Sequence, residues 1–218
     1  IPSRLNSSRL KEKPLLEIDG LPIIIHTLKR AMLSKKLDKV IVCTDHIKIL
    51  KIVEEFGGKA MLTSTKHLNG TERIAEIAKK FNAKLVIDIQ GDEPLVDPRD
   101  IDKVIDFHLK NKEFEIVVPS MTTKYPERNS LVKVIFNKKG KVLYFSRAPI
   151  PFNYKNKNIN YYKDLSIVSF KNEALKKFAK LKIGKLEEIE GIELLRALEN
   201  NISIGTFISK STSFSVDV

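Results

Sequence analysis

The sequence predicts an α/β fold in which a mixed, mostly parallel sheet carries helices on both faces. Short β-rich apolar runs alternate with amphipathic helical runs along the first half, which is the order typical of such a sheet. The 218 residues are 42% hydrophobic, and a chain of this length buries roughly 70% of its unfolded surface around a core. The first-half elements predicted are helices 22–32, 46–56, 71–80 and 98–109 and strands 39–44, 84–89 and 115–119.

Start and stop signals justify these helices. Pro22 stands at the first helical position, where its missing N–H is not needed. Gly57 and Gly58 end the second helix, because glycine adopts the left-handed conformation at a helix C-terminus. Asn69 or Thr71 can cap the third helix with a side-chain oxygen. The strands are continuous apolar runs, as expected of strands covered on both faces.

The regular alternation of predicted strands and helices ends at about Thr122. Segments 131–136 and 141–145 flank the hairpin-like turn 137–140. They are followed by a polar loop at 153–160, helices at 173–181 and 186–198, and a strand at 202–207. Because no Pro/Gly/Ser linker divides the halves, we predict one domain over 1–218, with halves of about 1–120 and 121–218. We expect both ends to be truncated, since the chain starts without Met and stops in a strand-like alternation.

Composition excludes several classes of protein. Of the 39 basic residues 8 are Arg, and the Lys residues are spread along the chain, giving a net charge of +12. Nucleic-acid binders instead cluster their charge and use Arg, so we expect no nucleic-acid partner. No apolar run approaches the roughly 20 residues of a membrane span, and there is no signal-peptide pattern. A lone Cys43 excludes a disulfide framework, so we expect a cytoplasmic protein without a membrane partner.

Common catalytic and cofactor motifs do not occur. The glycine patterns of P-loop and dinucleotide-binding proteins are missing. The four His residues are scattered without metal-ligand spacing, and no G-x-S-x-G pattern marks a serine hydrolase. Cys43 lies within a predicted strand and is interpreted as a core residue.

The segment 2–14 is a candidate polyphosphate-binding loop. It follows a predicted first strand, where open α/β sheets bind ligands. Its Ser residues, its backbone N–H groups and the charges of Arg4, Arg9 and Lys13 could surround a triphosphate. A solvated loop with ordinary surface charge has the same composition, so the residues alone leave both interpretations open.

The segment Gln90-Gly91-Asp92-Glu93-Pro94 is a candidate metal site. It places carboxylates at the end of a buried strand. Mg²⁺ takes one or two carboxylates together with phosphate oxygens and water. The alternative is a polar turn in which Asp92 caps the next helix.

These segments together resemble the sugar-acid cytidylyltransferases, most closely the branch that uses 3-deoxy-manno-octulosonate (Kdo). The resemblance runs nearly end to end, and the sialic-acid branch differs at the Q-G-D-E-P block. The shared blocks are I-P-S-R (1–4), S-R-L (8–10), K-P-L (13–15), T-D-H (44–46), G-T-E-R (70–73), Q-G-D-E-P (90–94), V-K-V (132–134) and Y-F-S-R-A-P-I-P (144–151).

The resemblance implies a Rossmann-like three-layer nucleotidyltransferase fold. It implies transfer of CMP from CTP to the anomeric hydroxyl of Kdo or a close 2-keto-3-deoxy sugar acid, with release of pyrophosphate. The cofactor would be Mg²⁺, and the partners would be CTP and an anionic eight-carbon sugar acid. The first half would bind the nucleotide, and the second half would bind the sugar and form a homodimer. The product would enter lipopolysaccharide assembly.

The resemblance also assigns site residues. The catalytic residues would be Arg4, Lys13 and Asp92. The nucleotide-binding residues would be Arg4, Ser8, Arg9, Lys13, Arg73 and Gln90. The sugar-binding residues would be Gln90, Lys133, Arg147, Asp164 and Glu193, and the metal ligands would be Asp92 and Asp217. From the residues alone, Lys133 is equally an exposed strand lysine and Asp217 a terminal surface acid.

The chain departs from the family pattern in its sugar-binding half. Where Kdo enzymes show H-L-G-I-Y-G-Y-R, this chain has D-L-S-I-V-S-F-K at 164–171, and Leu194 replaces a family Gln. We therefore hypothesise that Asp164 pairs with the ammonium of an amino-substituted Kdo. Alternatives are a sialic-acid-like substrate, another nucleotidyl donor such as UTP, and a non-catalytic module that binds nucleotide or nucleic acid.

Overall fold

The computed structural model describes residues 1–5, 10 and 12–210. A 3₁₀ helix covers Lys13–Leu15. The described strands are β1 (Pro2–Ser3), β2 (Glu17–Ile18), β3 (Leu21–Pro22), β4 (Val42–Thr44), β5 (Ala60–Leu62), β6 (Leu85–Ile89), β7 (Ile116–Val117), β8 (Ser120–Thr123), β9 (Lys133–Phe136), β10 (Val142–Ser146), β11 (Tyr161–Asp164), β12 (Ile167–Lys171) and β13 (Ile204–Gly205). The described α-helices are α1 (Ile23–Met32), α2 (Ile47–Glu55), α3 (Gly70–Ala78), α4 (Pro98–Lys110), α5 (Asn172–Phe178), α6 (Lys185–Glu190) and α7 (Leu194–Glu199).

The α/β fold with mixed sheets is confirmed; β1, β4 and β5 pair in parallel near the start of the chain, and β7 and β13 form a further parallel pair. Strands β1, β4 and β5 form a parallel sheet in which Pro2 lies opposite Cys43. A second sheet has the order β13-β7-β12-β6, with β12 antiparallel to both of its neighbours. A third, antiparallel sheet has the order β10-β9-β11-β8. The antiparallel strands therefore form a larger share than alternation in the first half predicts.

Helix starts follow the sequence signals with small shifts. Pro22 is the N-cap of α1, so the helix begins at Ile23, one residue after the predicted start. Asn69, and not Thr71, caps α3, because its side-chain oxygen accepts a hydrogen bond of 2.9 Å from the Glu72 N–H. The ring nitrogen of His46 accepts from the Lys48 N–H at 3.1 Å and caps α2 in the same way.

The second half differs most from expectation. The single helix predicted over 186–198 is two helices, α6 and α7. Gly191 ends α6 in the left-handed conformation, with φ 62°, and its N–H bonds Glu187 at 2.7 Å. Strands β5, β8, β11 and β12 were not expected. The hairpin of β9 and β10 lies where predicted, and Gly140 closes its turn with φ 76°.

Apolar residues are buried in two clusters. One contains Phe145, Phe170 and Phe178, and the other packs α1 and α4 against β6. An apolar groove of about 610 Å³ lies beside β4 and β6 and is lined by Cys43 and Ile87 among others. Burial raises the pKa of the Cys43 thiol, which agrees with a core role. Within the part of the chain that is described, no helix is long and apolar enough to cross a membrane.

Candidate active site

A polar cleft of about 150 Å³ lies where the chain leaves β6, β10 and β11. It brings together four residues that the sequence singles out from three separate segments. These are Gln90, Asp92, Arg147 and Asp164. Residues that sequence reasoning missed also line the cleft, including Lys163 and Ser166. They lie on or beside β11, whose polar Y-Y-K-D sequence carries no strand signal that could have identified them.

An ion pair between Lys13 and Asp92 joins the N-terminal loop to this cleft. The Lys13 Nζ lies 2.6 Å from Asp92 Oδ2, and the two side chains are 17% and 45% exposed. The two candidate segments, separate in the sequence, therefore meet in one place. A carboxylate this exposed, already attracting a cation, has oxygen donors suited to Mg²⁺.

Gly91 lets the end of β6 approach the first strand. A Cβ atom at this position would lie 2.7 Å from the Pro2 carbonyl oxygen, closer than real Cβ atoms come to backbone. The Thr27 hydroxyl donates to the Gly91 carbonyl at 3.1 Å and holds the segment from the other side. Any side chain at Gly91 would therefore displace Asp92 relative to the loop.

The other loop and terminal residues are partly described. Arg4 is exposed between the buried Ser3 and Leu5. The assignments of Ser8, Arg9 and Asp217 concern positions outside the described residues, and they stay predictions. Among the described residues, no group of three or more His, Cys, Asp or Glu side chains is arranged to hold a metal.

Arg73 lies beneath the loop and does not line the cleft. Its side chain is 3% exposed, and its Nη2 lies 3.1 Å from Asp45 Oδ2. Its Nη1 donates to the Thr63 hydroxyl and, at 3.3 Å, to the Ser64 carbonyl. These contacts hold the guanidinium next to Asp45 and away from the cleft, so Arg73 supports the start of the loop. Direct contact with a nucleotide stays a prediction.

Gln90 is oriented by Asp88, a residue that sequence reasoning missed. The Gln90 Nε2 donates to the two Asp88 carboxylate oxygens at 3.3 and 3.4 Å. Asp88 is 2% exposed, and burial raises its pKa to about 7. In the sequence, Asp88 is distinguished only as an acid inside the apolar run L-V-I-D-I (85–89). Because Asp88 holds the amide nitrogen of Gln90, the amide oxygen is the polar atom that Gln90 has left for other contacts.

Glu193 lies away from the cleft, under the start of α3. The Thr71 hydroxyl donates to Glu193 Oε2 at 2.5 Å. Burial raises the pKa of Glu193, and the hydrogen bond from Thr71 opposes this effect. Nearby, the buried Arg196 bonds Glu187 at 2.5 and 2.6 Å. In this structure Glu193 belongs to a network between helices, and its role in sugar binding stays a prediction.

Lys133 is held by backbone carbonyls beside the cleft. Its side chain is fully buried, and its Nζ donates to the carbonyls of Arg128 at 2.9 Å, of Leu131 at 2.7 Å and of Arg147. An ammonium group has three N–H donors, so backbone oxygens take all of them. Burial lowers the pKa of Lys133. In this structure Lys133 therefore closes the loop beside the cleft, and its role in sugar binding stays a prediction.

The Arg147 guanidinium is partly bonded to backbone carbonyls and partly available at the cleft. Its Nε donates to the Glu190 carbonyl at 2.8 Å, and its two Nη atoms donate to Asn129 at 2.8 Å and to Gly191 at 3.2 Å. A guanidinium carries five N–H donors, which leaves two beyond these contacts. Because Arg147 lines the cleft, these donors are placed to meet an anionic group there.

Asp164 contributes a carboxylate to the same cleft. Burial raises its pKa to about 6, and the nearby charges of Lys163 and Arg147 lower it only in part. Its backbone N–H bonds Val132 at 3.1 Å. Within the described residues its carboxylate has no hydrogen-bond or ion-pair partner, so it is a negative group turned toward the cleft.

Comparisons with known proteins identify the family of this chain. A protein-family model described as cytidylyltransferase matches residues 1–204. A relative from Thermodesulfovibrio yellowstonii, named 3-deoxy-manno-octulosonate cytidylyltransferase, is 42% identical over 100% of this chain and 91% of its own. One from Shewanella sp. (strain W3-18-1), named 8-amino-3,8-dideoxy-manno-octulosonate cytidylyltransferase, is 40% identical over the same shares.

A solved structure provides the corresponding likeness in three dimensions. It is described as CMP:2-keto-3-deoxy-manno-octonic acid synthetase complexed with CTP. The two chains superpose with a TM-score of 0.94 at 34% sequence identity, over 100% of this chain and 91% of the other. The likeness therefore extends through both halves of the chain.

Proposed function

Because the chain belongs to the cytidylyltransferase family, we propose that it transfers CMP from CTP to Kdo or a close 2-keto-3-deoxy sugar acid. The observation that carries this proposal is the meeting of Lys13 and Asp92 at a cleft that also contains Arg147. Loop cations, a strand-end carboxylate and an arginine are the groups that a triphosphate and a sugar carboxylate need. The names of the relatives and the CTP-bound structure support the same donor and acceptor.

Positioning and charge would supply most of the catalysis. CTP carries about four negative charges, which must be offset before an anionic sugar can approach. Arg4 and Lys13 would hold the triphosphate, and Lys13 would stabilise charge that develops on the α-phosphate. The sugar hydroxyl forms a bond to the α-phosphorus as the bond to the pyrophosphate oxygen breaks. No covalent intermediate with the protein is needed.

We also propose that the reaction uses Mg²⁺. Asp92 fits this role because its oxygens are exposed at the cleft and already pair with a cation. Asp217, outside the described residues, would be the second ligand. When bound, the ion would neutralise phosphate charge and help orient the triphosphate. Titration of Mg²⁺ after treatment with a chelator tests this, and full activity without divalent metal would contradict it.

The second half is proposed to form a homodimer. Phe152 is 85% exposed, Tyr154 is 83% exposed and Ile189 is 70% exposed. Contiguous patches of exposed apolar side chains mark association surfaces, and Phe152 and Tyr154 lie two positions apart in one loop. Sedimentation at micromolar concentration would measure the mass, and a monomer would contradict the proposal. We further propose that the enzyme works in the cytoplasm and supplies lipopolysaccharide assembly, since a buried free Cys43 suits a reducing compartment.

Pyrophosphate release in the presence of CTP, Kdo and Mg²⁺ tests the proposed function. We expect release that depends on both substrates and gives CMP-sugar in equal amount. UTP in place of CTP should support little turnover, and preferred use of UTP would indicate a different nucleotidyltransferase. Salt-sensitive binding to any DNA duplex, without binding of CTP, would instead favour a nucleic-acid module.

A second candidate acceptor is an amino sugar acid, favoured by the unpaired carboxylate of Asp164 in the cleft. A carboxylate would form an ion pair with a substrate ammonium, whereas a hydroxyl would donate a hydrogen bond without bringing a compensating positive charge. The name of the Shewanella relative shows that such an acceptor occurs in the family.

Competition between Kdo and its 8-amino-8-deoxy analogue separates the two acceptors. If Asp164 pairs with the ammonium, the wild type prefers the analogue, and Asp164→Asn loses that preference while retaining turnover of Kdo. Faster wild-type turnover of plain Kdo would contradict the amino-sugar candidate.

A further inference from the structure

We infer that Asp45 is a positioning residue for the nucleotide triphosphate, acting by fixing the backbone beside Arg4. The inference rests on the proposed function, because it concerns how the same site binds CTP. Asp45 follows β4 directly and belongs to none of the predicted site sets. Among the described residues, each of its two carboxylate oxygens makes one contact, and these two contacts define its role.

The first contact holds the candidate phosphate loop. Asp45 Oδ1 accepts a hydrogen bond of 3.2 Å from the Leu5 N–H. On the other side of Arg4, Ser3 lies opposite Thr44 in the parallel pairing of β1 and β4. The backbone is thus held immediately before and immediately after Arg4, whose own side chain is exposed.

The second contact holds Asp45 itself. Its Oδ2 lies 3.1 Å from the Nη2 of Arg73, whose side chain is 3% exposed. The Nη1 of Arg73 is in turn fixed by the Thr63 hydroxyl and the Ser64 carbonyl. Arg73 lies in the first turns of α3, so a helix fixes the guanidinium, the guanidinium fixes Asp45, and Asp45 fixes the loop.

The far end of the loop is held separately. Lys13 begins the 3₁₀ helix and bonds Asp92 at 2.6 Å. A backbone held on both sides of Arg4 loses less conformational freedom there when a ligand binds, and this is how a residue without ligand contact raises affinity. Asp45 provides such a restraint at Leu5, immediately after Arg4.

Asparagine cannot replace this carboxylate, although it has the same shape. The two partners that Asp45 has among the described residues, the Leu5 N–H and the Arg73 guanidinium, are both donors. An aspartate offers an acceptor oxygen to each, whereas an amide has one oxygen and one NH₂ group. The variant Asp45→Asn must therefore direct its NH₂ group at one of the two donors and lose that contact.

Steady-state kinetics of Asp45→Asn, compared with Asp106→Asn, test the inference. Asp106 pairs with Lys36 at 2.7 Å on the exposed surface and serves as the matched control. For Asp45→Asn we expect the KM for CTP to rise tenfold or more, while the KM for the sugar stays within twofold. The control should change neither value. A CTP KM that is unchanged, or lower because a repelling charge has gone, would overturn the inference.

Two further measurements keep the test independent of folding and of the proposed function. Exchange of the Leu5 amide hydrogen should accelerate at least tenfold in Asp45→Asn, and unchanged exchange would overturn the anchoring role. If Asp45→Asn does not fold, Thr63→Val removes one support of Arg73 and should raise the CTP KM less, without changing the sugar KM. If the wild type fails to turn over CTP with any sugar acid, the proposed function fails, and amide exchange still decides the anchoring.

Discussion

Lys13 Nζ lies 2.6 Å from Asp92 Oδ2, although the two residues are 79 positions apart in the chain. Both side chains retain solvent contact, and exposed ion pairs of this kind contribute about 0–1 kcal/mol to stability. The pair therefore adds little to the overall stability of the fold, although it joins the two segments locally. Its importance is that it places a cation and a carboxylate at one point of the cleft, where phosphate and metal are proposed to bind.

Replacing Lys13 by Met should greatly reduce activity without unfolding the protein. We expect kcat/KM for CTP to fall by about 10²–10³-fold, since a donor that stabilises transition-state charge is lost. The matched control is Lys36→Met, which breaks an exposed pair of nearly the same length with Asp106 and should stay within twofold. Equal effects of the two substitutions would show that Lys13 acts only as surface charge.

The family resemblance placed Lys13 and Asp92 in one site through the shared blocks K-P-L and Q-G-D-E-P, and the structure brings the two side chains together. The sequence could not place Lys133 or Glu193, because a charged residue on a motif gives no sign of whether its side chain turns outward or inward. Lys133 is satisfied by carbonyls from positions 128, 131 and 147. Those partners come together only through the tertiary fold.

The same limit applies to the fold. Apolar runs and capping residues located helices α1–α4 and the strand β6 to within a few residues. The short strands β8 and β11 are partly polar, and they form through pairing with each other in an antiparallel register. Pairing between distant segments leaves no local periodicity, so this part of the cleft wall could not be predicted.

Gly91→Ala should impair catalysis through a backbone clash. Its Cβ would lie 2.7 Å from the Pro2 carbonyl oxygen, so the turn that carries Asp92 must shift. We expect kcat/KM to fall at least about tenfold, since small misplacements are costly at a site that works by positioning. Gly20→Ala is the control, because its φ of 75° strains alanine but nothing lies near the added atom. That control should lower thermal stability and leave kcat/KM unchanged.

Lys133→Met should destabilise the fold more than it affects sugar binding. The substitution leaves three carbonyl oxygens around a fully buried side-chain position without their shared donor, at a cost of roughly 2–4 kcal/mol. Urea unfolding measures this loss, and the KM for the sugar should change little in the folded fraction. Lys163→Met, on the neighbouring strand at the cleft, should show the reverse pattern. An unchanged unfolding free energy with a raised sugar KM for Lys133→Met would restore the sugar-binding role.

Asp164→Asn should stabilise the protein at alkaline pH and have little effect in acid. Burial raises the pKa of Asp164 from 3.8 to about 6, so the folded state binds this proton more tightly than the unfolded state does. The resulting contribution to stability is complete below pH 4 and is lost as the pH rises through 6, because the buried carboxylate must then ionise. At pH 8 the amide avoids that cost, and we expect a gain on the order of 2 kcal/mol. Urea unfolding of both proteins at pH 4 and pH 8 measures the difference, with the exposed Asp106→Asn as control. If Asp164→Asn is instead less stable than the wild type at pH 8, the Asp164 carboxylate already has a stabilising cationic partner in the protein. It would then not be available to pair with a ligand.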